Sequence, residues 1–239
     1  MAQQERAVRT RNALIESAAE LFSRDGFDVV SLSTISTRAG VSNGALHFHF
    51  ASKAALAAAV WEAAAQRLRQ ITVEGRAGGG AAGRGEGGSA ETGGALQVLV
   101  DATHALLRGL RHDVILRAGF DLSESPVPVA AAADLRWRWQ TWVEGVLAEA
   151  AREGALARDV SPQDAAHAVV AATVGFGALG SRNAQWLSRS MLTRFWALLL
   201  PRLATEVALK GLVASGRREG RAGAEHAPPP SRVTARKGA

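Results

Sequence analysis

Apolar residues recur three and four positions apart along most of the 239-residue chain, with polar residues on the intervening positions. That period predicts helices that each bury one stripe. Ile15, Ala18, Ala19 and Phe22 form the stripe of a first helix, about Val8 to Arg24, which Gly26 ends with Phe27 folding back. Ser31 can cap a short second helix in which Leu32, Ile35 and Ala39 share a face. Gly40 falls where a tight turn needs positive φ, Val41 points back to the core, and Ser42 can cap a third helix from Asn43 to Phe50. Ser52 then caps a longer helix, Lys53 to Val73, that buries Leu56, Val60, Trp61 and Leu68.

The pattern stops in GRAGGGAAGRGEGGSAETGG, residues 75–94, which has almost nothing to bury and reads as a flexible loop. It has no GK[ST] ending and no preceding strand, so it is not a phosphate loop. Helical spacing returns over Leu96–Leu110, Val114–Leu122 and Val129–Arg152, the last following Pro126 and Pro128. A helix capped by Ser161, with Pro162 in its first turn, runs to Gly180, and a final one spans about Ser188–Leu212. No segment alternates as a strand would and no repeat is visible. The expectation is an all-α fold of about nine helices, divided at 1–52, 53–74, 75–94, 95–213 and 214–239.

The two short helices joined at Gly40 carry the functional signal. A short capped second helix can enter the major groove of DNA while the first braces it across the backbone. Composition narrows the alternatives. There is no cysteine, which excludes disulfides, thiolate zinc sites and cysteine nucleophiles. His104, His112 and His167 are scattered, and no acid pair accompanies them, so no catalytic residues, cofactor or metal are expected. His47 and His49 stand two apart, about 200° around a helix, and do not make a metal pair. The net charge of +6 sits largely in a Pro-rich tail containing Arg217, Arg218, Arg221, Arg232, Arg236 and Lys237, read as disordered and solvated. No stretch approaches a membrane span and no signal-peptide pattern opens the chain, which predicts a cytoplasmic, nucleoid-associated protein.

The segment AAELFSRDGFDVVSLSTISTRAGVSNGALHFHFASKAAL resembles the DNA-binding domain of tetracycline-repressor (TetR) family regulators, through the spacing of Gly26, Phe27, Ile35, Ala39, Gly40, Val41, Gly44, Phe50 and Lys53. HFHFASKAAL, WQTWVEGVLAEAAREG, ARDVSPQDAAHAVV and FWALLLPRLA are similar to the γ-butyrolactone receptor subfamily, actinobacterial repressors released from DNA by a diffusible lactone or furan. The resemblance implies a homodimer on a near-palindromic double-stranded operator, with residues 1–52 as DNA-binding domain and 95–213 as ligand-binding and dimerisation domain. An antibiotic-like effector, or none, is the alternative.

On the recognition helix, Asn43 and Gly44 lie where base edges can be reached, and Asn43 can read adenine through paired contacts. Ser42 both caps and faces a phosphate, His47 and His49 reach phosphates or bases, Lys53 reaches a phosphate, and Thr37 and Arg38 flank the turn. Asn43, His47 and Thr34 depart from the subfamily's usual Lys, Tyr and acidic residue, so operator bases do not transfer from relatives. Trp137, Trp139, Trp142, Trp186 and Trp196 cluster after the loop in a chain poor in aromatics. Trp139, fifteen residues before Gly154, occupies the position of a ligand-contacting tryptophan in the butyrolactone receptors, with Trp142 and Phe120 as further candidates. The family often has a threonine just before the next helix's glycine. Here Val174 precedes Gly175 and Thr173 stands one residue earlier, about 100° away around the helix. Ala165, Ala168, Ala172, Gly175 and Gly180, with Met191, Phe195, Leu198 and Leu199, suit a four-helix dimer interface. The helix from Lys53 to Val73 is the expected path between the domains.

Overall fold

Serine caps set the starts of the helices. Each cap hydroxyl accepts a bond from a backbone N–H three residues on: Ser31 from Thr34, Ser42 from Ala45 and Ser52 from Ala55, all at 3.1 Å. Ser161 and Ser188 do the same for Asp164 and Met191 at 3.3 Å. The computed structural model describes residues 1–81, 94–122 and 134–217. Its helices are α1 (Ala2–Asp25), α2 (Leu32–Arg38), α3 (Asn43–His49), α4 (Lys53–Ala81), α5 (Gly94–His112), α6 (Val114–Leu122), α7 (Leu135–Arg152), α8 (Pro162–Gly180), α9 (Arg189–Leu203) and α10 (Glu206–Leu209). A 3-10 turn, Ala184–Leu187, precedes α9. Among the described residues there is no strand, only one isolated bridge between Leu156 and Ala204. The fold is all-α.

The helices α1 to α3 form a small head, and α4 carries it onto the body by packing against α5 and α6. One continuous apolar core runs from Leu14 in α1 to Ala208 in α10. The wedge in this arrangement is α6, which packs on both α1 and α4. A Cβ on Gly119 would collide with Ala64 of α4 and Leu135 of α7, so only glycine lets α6 approach this closely. Gly40 adopts φ 67°, the turn between α2 and α3.

Three boundaries differ from the sequence expectation, each for a tertiary reason. α4 continues through 75–81 rather than yielding to a loop at 75. A Cβ on Gly75 would lie 3.3 Å from that of Ala102, so packing on α5 carries the helix past its first glycine. The final helix does not run to Leu212. It breaks at Ala204, where Ala157 N–H donates to Leu203 O (2.8 Å) and Thr205 N–H to Ala155 O (2.9 Å). Residues 214–217, expected in a disordered tail, lie along α5. His104 Nε2 is 3.0 Å from Ala214 O, and Arg217 N–H donates to Asp101 at 2.7 Å. The expected loop at 82–93, the helix start at Val129 with Pro126 and Pro128, and the tail at 218–239 lie outside the described residues.

Candidate nucleic-acid interface and ligand cavity

The third helix presents a mixed polar and aromatic face to solvent. Leu46 and Phe50 anchor it to the core at 0% and 4% exposure, so Asn43, Gly44, His47 and Phe48 turn outward. Ser42 is exposed and holds the first turn as its cap. His49 is half-buried with its ring edge-on to Phe48, so the two histidines diverge as their spacing dictates. Gly44 has open space around it: a Cβ there would meet only Ser42 Oγ, at 3.8 Å. Phe48, 82% exposed, escaped the sequence reading. The signal was present, since a residue two places from both Leu46 and Phe50 falls on the face opposite them.

One end of the Asn43 amide is engaged. It lies 2.5 Å from the buried Ser36 hydroxyl, which is also 2.9 Å from Ser33 O. A hydroxyl has one proton, so the bonds are satisfied together when Ser36 donates to Ser33 O and accepts from the Asn43 NH2. The second amide proton and the carbonyl oxygen of exposed Asn43 remain for an outside partner. Thr37 is exposed, its hydroxyl donating to Ser33 O at 2.9 Å, and Arg38 is paired with Glu20 of α1.

Lys53 is a correction. Its ammonium donates to the carbonyls of Phe27 (2.7 Å), Asp28 (3.2 Å) and Val30 (2.9 Å) and sits 4.4 Å from the centroid of the Phe27 ring. Three donors on three carbonyls leave none for a phosphate. The residue clamps the α1–α2 loop to the start of α4.

In the body, a cavity of about 390 Å³ lies among α5, α6, α7 and α8. Phe120, Trp139, Thr173 and Val174 all line it, so four of the five residues expected to touch ligand share one space. Trp142 does not line it. That ring stacks on Trp139 with centroids 5.1 Å apart. Trp139 is fully buried and its indole N–H donates to Thr173 Oγ1 at 2.9 Å, while Thr173 donates back to Val169 O. The one-residue offset of Thr173 therefore places its hydroxyl behind the tryptophan. Trp196 makes the same kind of bond to Thr103 at 2.8 Å and is core, while Trp137 is 58% exposed.

The cavity lining also includes polar residues, Arg117 and Asp121 of α6, Arg136 of α7, and Ser181 and Arg182 after α8. Sequence patterns gave no sign of these residues as a set, because separate elements bring them together. Two of them reach the head. Ser23 of α1 donates to Asp121 Oδ2 at 2.8 Å, and Arg117 Nε donates to Ser23 Oγ at 3.2 Å. Beside them, Arg67 of α4 is paired with Asp113, which also caps α6 by accepting from Ile115 N–H at 2.9 Å. A wider cleft, about 1110 Å³, lies between α5, the end of α4 and residues 215–217, and holds none of the expected site residues.

A capped helix-turn-helix held out from an all-α body with a cavity of ligand size defines a DNA-binding regulator. Residues 14–60 match the family described as bacterial regulatory proteins, tetR family. That stretch spans the helix-turn-helix and the start of α4. It is 29% identical over 225 residues to the A-factor receptor protein of Streptomyces griseus, covering 92% of this chain and 72% of that one. The fold is similar to a solved γ-butyrolactone receptor (ArpA-like protein), with a TM-score of 0.67 and 28% identity over 86% of this chain and 92% of that chain. It is equally similar, at TM-score 0.67 and 28% identity over 86% and 93%, to the TetR family protein CprB of Streptomyces coelicolor, solved in complex with its biological operator sequence. The resemblance to γ-butyrolactone receptors thus extends beyond the head into the body.

Proposed function

We propose that this chain is a ligand-responsive repressor that binds a near-palindromic double-stranded operator as a homodimer and is released when a small, largely apolar signal fills the cavity beside Trp139. The observation that carries the reading is the shared hydrogen bonding of α6. Arg117 and Asp121 line the cavity and also bond to Ser23 of the DNA-binding head. A ligand that moves α6 therefore acts on α1 directly, as well as on α4 through Gly119 and the Arg67–Asp113 pair. A tenfold loss of operator affinity needs only about 1.4 kcal/mol of coupling, modest for a buried ligand. A relative named as a receptor protein and another solved with its operator sequence both support this reading.

In this reading Ser42, Asn43, Gly44 and His47 face phosphates or base edges, and Thr37 and Arg38 flank the contact. Phe120, Trp139 and Val174 are the cavity wall. The dimer forms through the exposed apolar face of α8 and α9, where Ala168, Leu179 and Leu198 are exposed in one chain and half-buried Gly175 has open space above it. Ala165, Gly180 and Phe195 are not part of that face. Ala165 is 4% exposed, Gly180 abuts Leu187, and the Phe195 ring packs on Phe176 at 5.6 Å.

Selection of bound sites from a random duplex pool tests the proposal. Enriched inverted repeats spaced by about one helical turn, released by γ-decalactone or sodium decanoate in a band-shift titration, are the expected result. A purified protein that is monomeric, or that shows no preference for inverted repeats, overturns it.

A further inference from the structure

We infer that Phe48 is a sequence-reading residue, its exposed ring packing on the 5-methyl group of a thymine in the major groove. The assignment rests on the proposed docking of α3 against DNA and adds a base preference to it. The chain has seven phenylalanines. All are buried or half-buried except Phe48, which is 82% exposed. It stands on the uncovered face of α3, among exposed Asn43, Gly44 and His47.

Phe48 and Gly44 are four residues apart, on one face of the helix and one turn from each other. Helical side chains lean toward the N-terminus, which directs the ring toward the turn that Gly44 leaves without a side chain. Within 4 Å a Cβ at Gly44 would meet only Ser42 Oγ, so that turn is open. The half-buried His49 meets the Phe48 ring edge-on, with centroids 5.2 Å apart and planes at 82°. The imidazole supports the ring on one side and leaves the rest of it to solvent.

A phenyl ring has no donor or acceptor for a phosphate or for the polar edge of a base. The apolar group that base edges present in the major groove is the thymine 5-methyl. With Gly44 against base edges, a residue one turn further along, about 5.4 Å, meets the groove about one or two base pairs away, since stacked pairs are about 3.4 Å apart. Two copies of the chain would sense that thymine once in each half-site. Thymine and uracil present the same donors and acceptors, so the methyl group separates the contribution of the ring from those of Asn43 and His47.

The test begins with operators selected from a random duplex pool. Each thymine in turn is replaced by deoxyuridine, in both half-sites, and the full chain is titrated in band shifts. One position in each half-site should respond, weakening binding by about tenfold or more, from about fourfold for each buried methyl. Phe48→Ala should bind the thymine site more weakly than the unaltered chain does, and should bind the thymine and uracil sites within about twofold of each other. 5-Iododeoxyuridine at the responding position, irradiated in complex with the unaltered chain, should cross-link to Phe48, which keeps the assignment testable if the variant does not fold or bind. A selected operator in which no uracil matters overturns the inference. So does a uracil penalty that Phe48→Ala preserves, or a cross-link to another residue. In those cases the reading as an operator-binding protein stands, because a site was still selected. Failure to enrich any site overturns both.

Discussion

Gly44 has room for a side chain and yet carries none. The nearest atom to a methyl group at that position would be Ser42 Oγ at 3.8 Å, and the residue lies within helix α3. Gly44→Ala should therefore raise stability by about 0.5–1 kcal/mol in urea unfolding. On the proposed reading the duplex takes that space, so the same substitution should weaken operator binding in a band shift. Unchanged affinity would mean that DNA stays clear of this turn. Lys53 makes the opposite case. Lys53→Met deprives three carbonyls of their donor and should cost about 1–3 kcal/mol of stability, measured by the urea midpoint at constant slope. A lysine that served DNA alone would leave that midpoint where it is. The contrast shows what was legible in the chain. Ser31, Ser42 and Ser161 cap three residues ahead of themselves, so their roles can be read locally. Lys53 reaches carbonyls 23–26 residues away, and no local pattern announces such a clamp.

At the scale of elements, α6 joins the cavity lining to the head through Arg117 and Asp121. Ser23→Ala removes both of its bonds to Asp121 and Arg117. Effector affinity should stay within about twofold, while the effector's ability to lower operator affinity should shrink by about threefold to tenfold, the worth of one or two ordinary hydrogen bonds. An unaltered shift of operator affinity would place the coupling in α4 alone, where the sequence pointed. The sequence could not show the second path, since Ser23 and Asp121 are 98 residues apart. The same blindness hid the strip at 213–217, in which Val213 N–H donates to Gln97 at 2.8 Å and Arg217 N–H to Asp101. Burial lowers the pKa of His104 below its ordinary 6.5, opposed by its bond to Ala214 and by Asp101, and assisted by Arg189 and Arg108. A histidine held below its unfolded value binds fewer protons folded than unfolded, so its contribution is complete above about pH 6.5 and is lost as the pH falls through the lowered value. Amide exchange in residues 213–217, corrected for the intrinsic effect of pH, should accordingly lose protection between pH 7.5 and 5.5 more than in α5.

For the molecule as a whole, the proposed dimer rests on the exposed face of α8 and α9. Leu198 is 81% exposed in one chain and touches nothing essential to its core. Leu198→Asp should leave the helical circular dichroism intact, convert the protein to a monomer in sedimentation, and lower operator affinity by about a hundredfold or more, since the second recognition helix is then lost. A dimer that persists would move the interface elsewhere. The all-α architecture and the helix-turn-helix were readable because their signals, period, caps and a glycine turn, are local. The division of labour within the small-residue helices was not, because Ala165 and Ala168 look alike until packing buries one and leaves the other.

The grip of Lys53 on the corner between α1 and α2 has a further consequence. The first residue of α4 is tied to the loop that opens the reading head, so a swing of that helix transports the head intact and cannot unfold it. Induction would then change the gap between two undamaged readers. A half-operator, which asks for only one of them, should be bound equally well with and without the signal, and the induced protein would remain on the chromosome as a searcher that no longer finds its address.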